Sequence, residues 1–380
     1  MALTTEELRA RSKRRKISIQ VAIVAIVVTT IIALVWNTTN QLEKQGLTSG
    51  FDFLERSIGW GYSFSLIERS IQDTYSKTLL IGFLNTIFVG FIAIILSTIF
   101  GFAIGTAKDS NNLTMKSVAT IYIQIFRNIP LILQVIFLYA VIINLPSSRQ
   151  AYSVFDVIFL SNRGLMLPTL NIPLSVVFWL VVLSIGFAIF LIRSKRLSLL
   201  PGIGAWIVAV IVACALAVMI FGEPDQAALS IPALKGLRFV GGLNVSIELV
   251  TMTIAIVLYG SAYIAEVVRG GLKEVPKGLI EAGQALGLSS RVIWSRIKLP
   301  MSLRTIIPPL GNQWIFIMKG TTIGIAIGFS DLFYIVSTSI TQSGQTLELI
   351  ALLAGAFLLV NFSLAQFINW LNSSLKLKAH

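Results

Sequence analysis

Histidine and cysteine are nearly missing from this sequence. One of each occurs in 380 residues, His380 and Cys214. No disulfide can form within the chain, and one thiol inside an apolar run gives no sign of redox compartment. A histidine-based metal site or general base lacks its ligands, so no metal centre is expected. Charge is scarce too. Asp, Glu, Lys and Arg make up 12% of the chain, against about a quarter in soluble globular domains. The few acids lie in different apolar runs, which leaves a membrane enzyme without convergent groups. No G-x-x-x-x-G-K-S/T run occurs, so the chain has no ordinary cradle for nucleotide phosphates.

What the chain has is apolar length: 55% hydrophobic residues and a mean hydropathy of +0.84. The apolar residues come in blocks of about twenty, enough to cross a ~30 Å hydrocarbon core at 1.5 Å per residue. The expected fold is an all-α polytopic membrane protein with about eight transmembrane helices. The spans are read as Ile17–Trp36, Leu79–Ala107, Ile129–Leu145, Pro173–Ile192, Ile203–Phe221, Ile247–Val267, Ile306–Gly328 and Leu347–Leu371. In the second, Gly82, Gly90, Gly101 and Gly105 offer close-packing positions. No cleavable leader is expected, because the first span is too long for a signal h-region and no A-x-A site follows it.

The net charge of +13 has a topological pattern. Twenty Lys and Arg residues flank one set of span ends, including Arg9 to Lys16, Lys108, Arg193 to Arg196, and Arg269 to Arg304. Eight lie on the other side, in longer loops. The positive-inside bias then puts both termini in the cytoplasm. A nucleic-acid partner is not expected, since no compact basic and aromatic face exists.

Organisation follows polarity. Residues 1–78 form a basic tail, a peripheral span and an outer segment containing FDFLERSIGW, whose aromatics suit the headgroup level. Residues 146–245 hold two almost wholly apolar peripheral spans joined by the short basic turn RSKR, with outer loops on both flanks. Residues 79–145 and 246–372 hold the working core, and 373–380 a second tail. In the core, polar residues interrupt the spans: Asn85, Thr86, Gln134, Glu248, Thr251, Thr253, Tyr259, Tyr263, Glu266, Asn312, Gln313, Lys319, Thr321, Thr322 and Asn361. Polar groups are costly in hydrocarbon, so these should face other helices or a wet cavity.

Between the sixth and seventh spans, within 270–300, lies EAGQALGLSSRVIWSRIKLP. Pro276 suits the first turn of a helix carrying Leu279, Ala282, Gly283 and Leu286 at helical spacing. Gly287 fits a C-terminal cap with positive φ, and Ser289 or Ser290 can start a second helix with Val292, Ile293, Trp294 and Ile297, which Pro300 stops. Ala282, Gly283 and Ala285 are small enough for a partner to approach, with Glu281 as a polar anchor. Helicity alone also allows a surface helix resting on lipid, with Arg291, Arg296 and Lys298 on phosphates.

The residue pattern goes beyond helicity. Glu281-Ala282, then Gly287, then Ile297-x-Leu299-Pro300 resembles the EAA loop of bacterial ABC-importer permeases. Such a match arises by chance in roughly one chain in 10⁴–10⁵. SAYIAEVVRGG, RNIPLILQVIFLY and IIPPLGNQWIFIMKGTTIGIAIGFSDL look like the amino-acid permeases of that family. FDFLERSIGW, NRGLMLP and QSGQTLELIA resemble its general or polar L-amino-acid members. Where many relatives carry Asp or Asn after the lysine, Gly320 stands here, so that position says nothing of substrate class.

The resemblance implies a type I ABC-importer permease core with extra peripheral helices, in a bacterial inner membrane. It implies a second homologous permease subunit, two ATP-binding cassette subunits and a periplasmic amino-acid-binding protein, all in contact with membrane lipid or with one another. The resemblance also implies that no cofactor is bound by this chain, since ATP and Mg would be used by the partner ATPases. Glu281, Ala282, Gly283, Ala285, Gly287, Ile297, Leu299 and Pro300 would be the coupling residues. Candidate substrate-path residues are Asn312, Gln313, Lys319, Thr321 and Thr322, with Glu248 or Glu266 for an ammonium; a packing role for Lys319 stands beside that reading. Arg127 either snorkels to the interface or gates against the partner permease, and Asp331 caps the outer turn. An ion-gradient-driven secondary transporter of amino acids is the alternative function; it accounts for the core polar residues but not for the loop.

Overall fold

The computed structural model describes residues 5–44, 50–194, 199–223, 227–236 and 238–375. Lys195 and Arg196 of the RSKR turn, and Lys376 and Lys378 of the second tail, lie outside the described residues.

Two long helices form the axis of the fold. α2 (Tyr75–Lys108) and α7 (Ile247–Lys273) lie together along their length. The glycines on α2 make this possible. A Cβ at Gly101 would stand 2.6 Å from Ile264 Cγ2, and one at Gly105 would stand 2.6 Å from the Ala265 carbonyl oxygen. Gly82 meets Ile335 and Gly90 meets Met318 in the same way. Around this pair pack α3 (Leu113–Asn128), α4 (Leu131–Ile143), α10 (Leu299–Gly320) and α11 (Leu332–Ser343), with α12 (Thr346–Leu375) against α10 and α11. Val89, Met252, Ile256, Ile264, Ile306 and Ile317 fill the shared core.

α1 (Thr5–Lys44) stands apart, and none of its apolar stretch is buried. α5 (Leu174–Ser194) and α6 (Leu199–Phe221) pair with each other. Among the described residues, five helices are long and apolar enough to cross a membrane, and two bent helix pairs bring the count to seven. Trp179–Leu191 of α5 is a further apolar helical stretch among the described residues, and the exact count of eight is not confirmed.

The third expected span is α4, a single helix of 13 residues, about 20 Å, and α3 before it meets it at 102°. Pro130 drives this break by forcing Ile129 into extended backbone (φ −90°, ψ 125°). Gln134 Nε2 then donates to the carbonyls of Phe126 at 3.0 Å and Ile129 at 2.8 Å, which satisfies two acceptors at the bend. The seventh span is interrupted: α10 tightens into a 3₁₀ stretch (Thr321–Ile327), turns at Gly328 (φ +73°) and restarts as α11 at 48°. Asp331 caps α11 as expected, accepting from the Tyr334 N–H at 2.8 Å.

The fold is mostly helical, with one addition to the all-α expectation. The loops flanking α5 and α6 carry short strands. β1 (Tyr152–Val154), β2 (Ile158–Ser161), β3 (Gly164–Leu167) and β8 (Leu243–Val245) form an antiparallel sheet in that order, registered by Met166 opposite Asn244. β4 (Thr169–Leu170) pairs with β5 (Leu229–Ser230), and β6 (Ala233–Lys235) with β7 (Arg238–Val240). The sheet sits at the start of α7, so it marks the end of the bundle opposite the EAGQALG insert.

In the outer segment, Phe53, Ile58 and Tyr62 are buried against Leu79, Ile81, Leu332 and Leu349, while Phe51 is exposed. Lys77, 2.9 Å away, and the Ser70 N–H hold the Asp73 carboxyl below the usual carboxylate range beside this segment.

Candidate functional site

The insert after α7 is a helical hairpin. α8 (Lys277–Ala285) follows Pro276, which stands just ahead of the helix rather than in its first turn. The Leu288 N–H donates to the Gly283 carbonyl at 3.1 Å and the Gly287 N–H to that of Gln284 at 2.9 Å, closing the helix in a Schellman pattern. Gly287 takes φ +72°, as its position requires. α9 (Ser290–Ile293) begins at Ser289, whose backbone fits a cap although its side chain makes no capping bond. A wide i→i+5 turn (Trp294–Lys298) carries α9 directly into α10. Pro300 therefore does not stop a helix. It lies near the start of α10, directly after the wide turn.

Burial divides the hairpin into two faces. Gly283 is buried, and a Cβ there would stand 3.2 Å from Ile293 and 3.3 Å from Ile297. Its smallness thus serves the hairpin's own second arm. Ile297 and Leu299 are half-buried. Glu281, Ala282, Ala285 and Leu286 face outward, and Leu286 is 79% exposed. Leu279 is also exposed. An exposed apolar strip without a partner among the described residues is left on the outside of α8.

The path candidates separate into three places. Asn312, Phe316 and Lys319 are exposed on one face of α10, with Gln313 half-buried beside them. Thr321 and Thr322 have their hydroxyls engaged, donating to the carbonyls of Met318 and Lys319 at 2.9 Å. These bonds help tighten α10 into the 3₁₀ stretch. Glu248 sits half-buried in the first turn of α7, and Glu266 lies eighteen residues on, about 27 Å along the same helix. The two carboxylates do not converge.

Glu266 is held by cations of the chain itself. It bonds to Lys108 of α2 and to Arg269 at 2.8 Å, with Arg127 of α3 at 3.8 Å. Arg127 also stands 5.0 Å over the Tyr263 ring, which belongs to an aromatic group with Tyr259 and Phe316. Arg127 joins α3 to α7 here instead of reaching away from the bundle. Beside this cluster, Asp109 Oδ2 accepts from Lys298 Nζ at 2.5 Å, tying α2 to the wide turn after α9. The sequence marked Lys108 only as a span-flanking charge and Lys298 only as a residue able to reach lipid phosphates, and it did not single out Asp109. The available signal was Asp109 itself, an acid at a helix C-terminus where the dipole disfavours negative charge.

A polytopic bundle with a helical handle at one end and broken helices at its centre has the architecture of a transport permease. Residues 205–377 match the family described as the binding-protein-dependent transport system inner membrane component. The chain is 38% identical over 368 residues to YhdX of Escherichia coli (strain K12), named as an amino-acid ABC transporter permease, covering 93% of this chain and 92% of that protein. It is 33% identical over 377 residues to the general L-amino acid transport system permease protein AapQ of Rhizobium johnstonii, covering 96% and 93%. With the glutamate/glutamine/aspartate/asparagine transport system permease protein BztB of Rhodobacter capsulatus, identity is 28% over 403 residues, covering 96% and 94%. The chain belongs to the permease subunits of amino-acid ABC transporters.

Proposed function

We propose that this permease is the transmembrane subunit of an ATP-driven importer of general or polar L-amino acids and forms half of its translocation path. The observation that carries the reading is the exposed strip Leu279, Ala282 and Leu286 on α8, flanked by Glu281. An exposed apolar strip with a polar anchor, on a rigid hairpin with small neighbours, suits insertion into a groove of another protein. That partner is an ATP-binding cassette subunit, one of two, which use ATP and Mg outside this chain. A second homologous permease completes the path, and a periplasmic binding protein delivers the amino acid. The membrane is the bacterial inner membrane, with both termini cytoplasmic and lipid around the apolar helices α1, α5 and α6. The hairpin is contiguous with α7 and α10, so closure of the ATPases shifts core helices and alternates access. The names of AapQ and BztB support L-amino acids as cargo.

The test is uptake of labelled L-amino acids by the intact complex in proteoliposomes, with a panel of unlabelled competitors. Uptake should require ATP inside the vesicles, and Glu281→Lys should abolish it while the chain still inserts. Uptake that needs only an ion gradient, or that persists in Glu281→Lys, would overturn the reading.

A further inference from the structure

Two neighbouring residues at the end of α2 carry opposite charges and reach different elements. Lys108, the last residue of α2, bonds to Glu266 of α7. Asp109, which caps α2, bonds to Lys298, 189 positions later in the chain.

Asp109 is placed against the preference of its own helix. A carboxylate at a C-terminus meets the negative end of the helix dipole, whereas Lys108 already supplies the cation favoured there. The acid therefore has a tertiary reason, and Lys298 is the cation it meets. The two side chains are 14% and 22% exposed, so solvent screens the pair less than an ordinary surface pair.

Each partner is anchored in a different element. Lys298 closes the wide turn that makes α9, that turn and α10 one continuous helical rod from Ser290 to Gly320. Gly283 seats α8 on the same rod through Ile293 and Ile297. Asp109 ends α2, which Gly101 and Gly105 press against α7. The α10 part of the rod packs against α2 and α7 through Ile306 and Ile317; at the hairpin end, this ion pair adds a direct tie between the wide turn and the end of α2.

We propose that Asp109 and Lys298 couple the docking hairpin to the axis of the bundle, passing its displacement to α2. They are positioning residues and touch neither cargo nor nucleotide. The inference rests on the reading of the hairpin as the ATPase handle.

The experiment measures labelled amino acid imported per ATP hydrolysed by the reconstituted complex, with co-purification of the ATPase subunits as a second readout. Asp109→Lys and Lys298→Asp should each lower that ratio about fivefold or more with the ATPases still bound. The double exchange should return it to within about twofold of wild type. Wild-type coupling in both single variants, or a double exchange no better than the worse single, overturns the inference. Should charge reversal block assembly, Asp109→Asn and Lys298→Gln are read the same way, and a wild-type ratio in both overturns it. Gly287→Pro serves as the control. If it leaves transport intact, the hairpin reading itself fails. If it uncouples while the ion-pair variants do not, only the present inference fails.

Discussion

Gly105 of α2 stands so close to the Ala265 carbonyl of α7 that a Cβ would lie 2.6 Å from the oxygen. The obstacle is backbone and cannot turn aside as a side chain would. In a membrane, where apolar surfaces gain little by leaving lipid, such close approach is what holds helices together. Gly105→Val should force α2 from α7, costing about 1–3 kcal/mol and often the whole contact. The check is thermal unfolding in detergent, with Gly186→Ala as the control, because nothing lies within 4 Å of a Cβ there. Equal melting temperatures for the two variants would show that the α2–α7 contact is not close in the assembled protein.

That α2 packs closely was legible in the sequence from its four glycines, but not that Gly101 and Gly105 meet α7 while Gly90 meets α10 and Gly82 meets α11. The break at Pro130 was less so. The proline signals a bend, but its angle depends on Gln134 reaching back to two carbonyls. The small sheets were not legible. Strands of two to four residues show no period, and the β3–β8 pairing joins segments on either side of α5 and α6. In the candidate site, the hairpin could be read from its glycine cap and fixed spacing, since both are local. Glu266 could not be assigned, because an isolated acid in an apolar run looks the same whether it meets a ligand or, as here, cations from α2, α3 and α7.

Gly287 separates two effects that substitution usually mixes. Its φ is +72°, and an added Cβ would meet nothing within 4 Å. Gly287→Ala therefore costs only the left-handed backbone term, about 1–2 kcal/mol, and Gly287→Asn less. Proline cannot adopt positive φ and also removes the N–H that bonds to Gln284. Uptake should fall in the order Gly, Asn, Ala, Pro, with unchanged membrane insertion throughout. Transport assays on the four proteins check the ranking, and an alanine variant as impaired as proline would refute it.

Asn85 ties three separate stretches together from inside the bundle. Its side chain is fully buried, and Nδ2 donates to the carbonyls of Phe64 at 3.0 Å and Ser330 at 2.7 Å. Oδ1 accepts from the Leu66 N–H at 3.3 Å. Asn85→Leu keeps the approximate volume but strips partners from buried backbone groups, at a cost of about 1–3 kcal/mol for each group left unpaired. The outer segment should then loosen from the turn before α11. Limited proteolysis within residues 50–74 should become faster than in wild type, and an unchanged cleavage rate would remove this role from Asn85.

Lys319 presents the remaining question of charge in hydrocarbon. It is exposed on the α10 face shared with Asn312 and Phe316, and it makes no ion pair among the described residues. A lysine at the centre of a span costs about 2.5–3.5 kcal/mol on insertion scales, so lipid is a poor neighbour for it. A wet path with an anionic group passing by suits it far better, and the carboxylate of an amino acid is such a group. Lys319→Ala should lower the rate of uptake about tenfold or more, the loss of a charge-assisted bond, while insertion is maintained or improved. Lys319→Arg should retain part of the rate, and Lys319→Glu should lose it. The decisive measurement is the initial rate at saturating binding protein, normalised to complex in the membrane. A packing role predicts the opposite pattern, with normal rates per complex and a fall in the amount of complex formed.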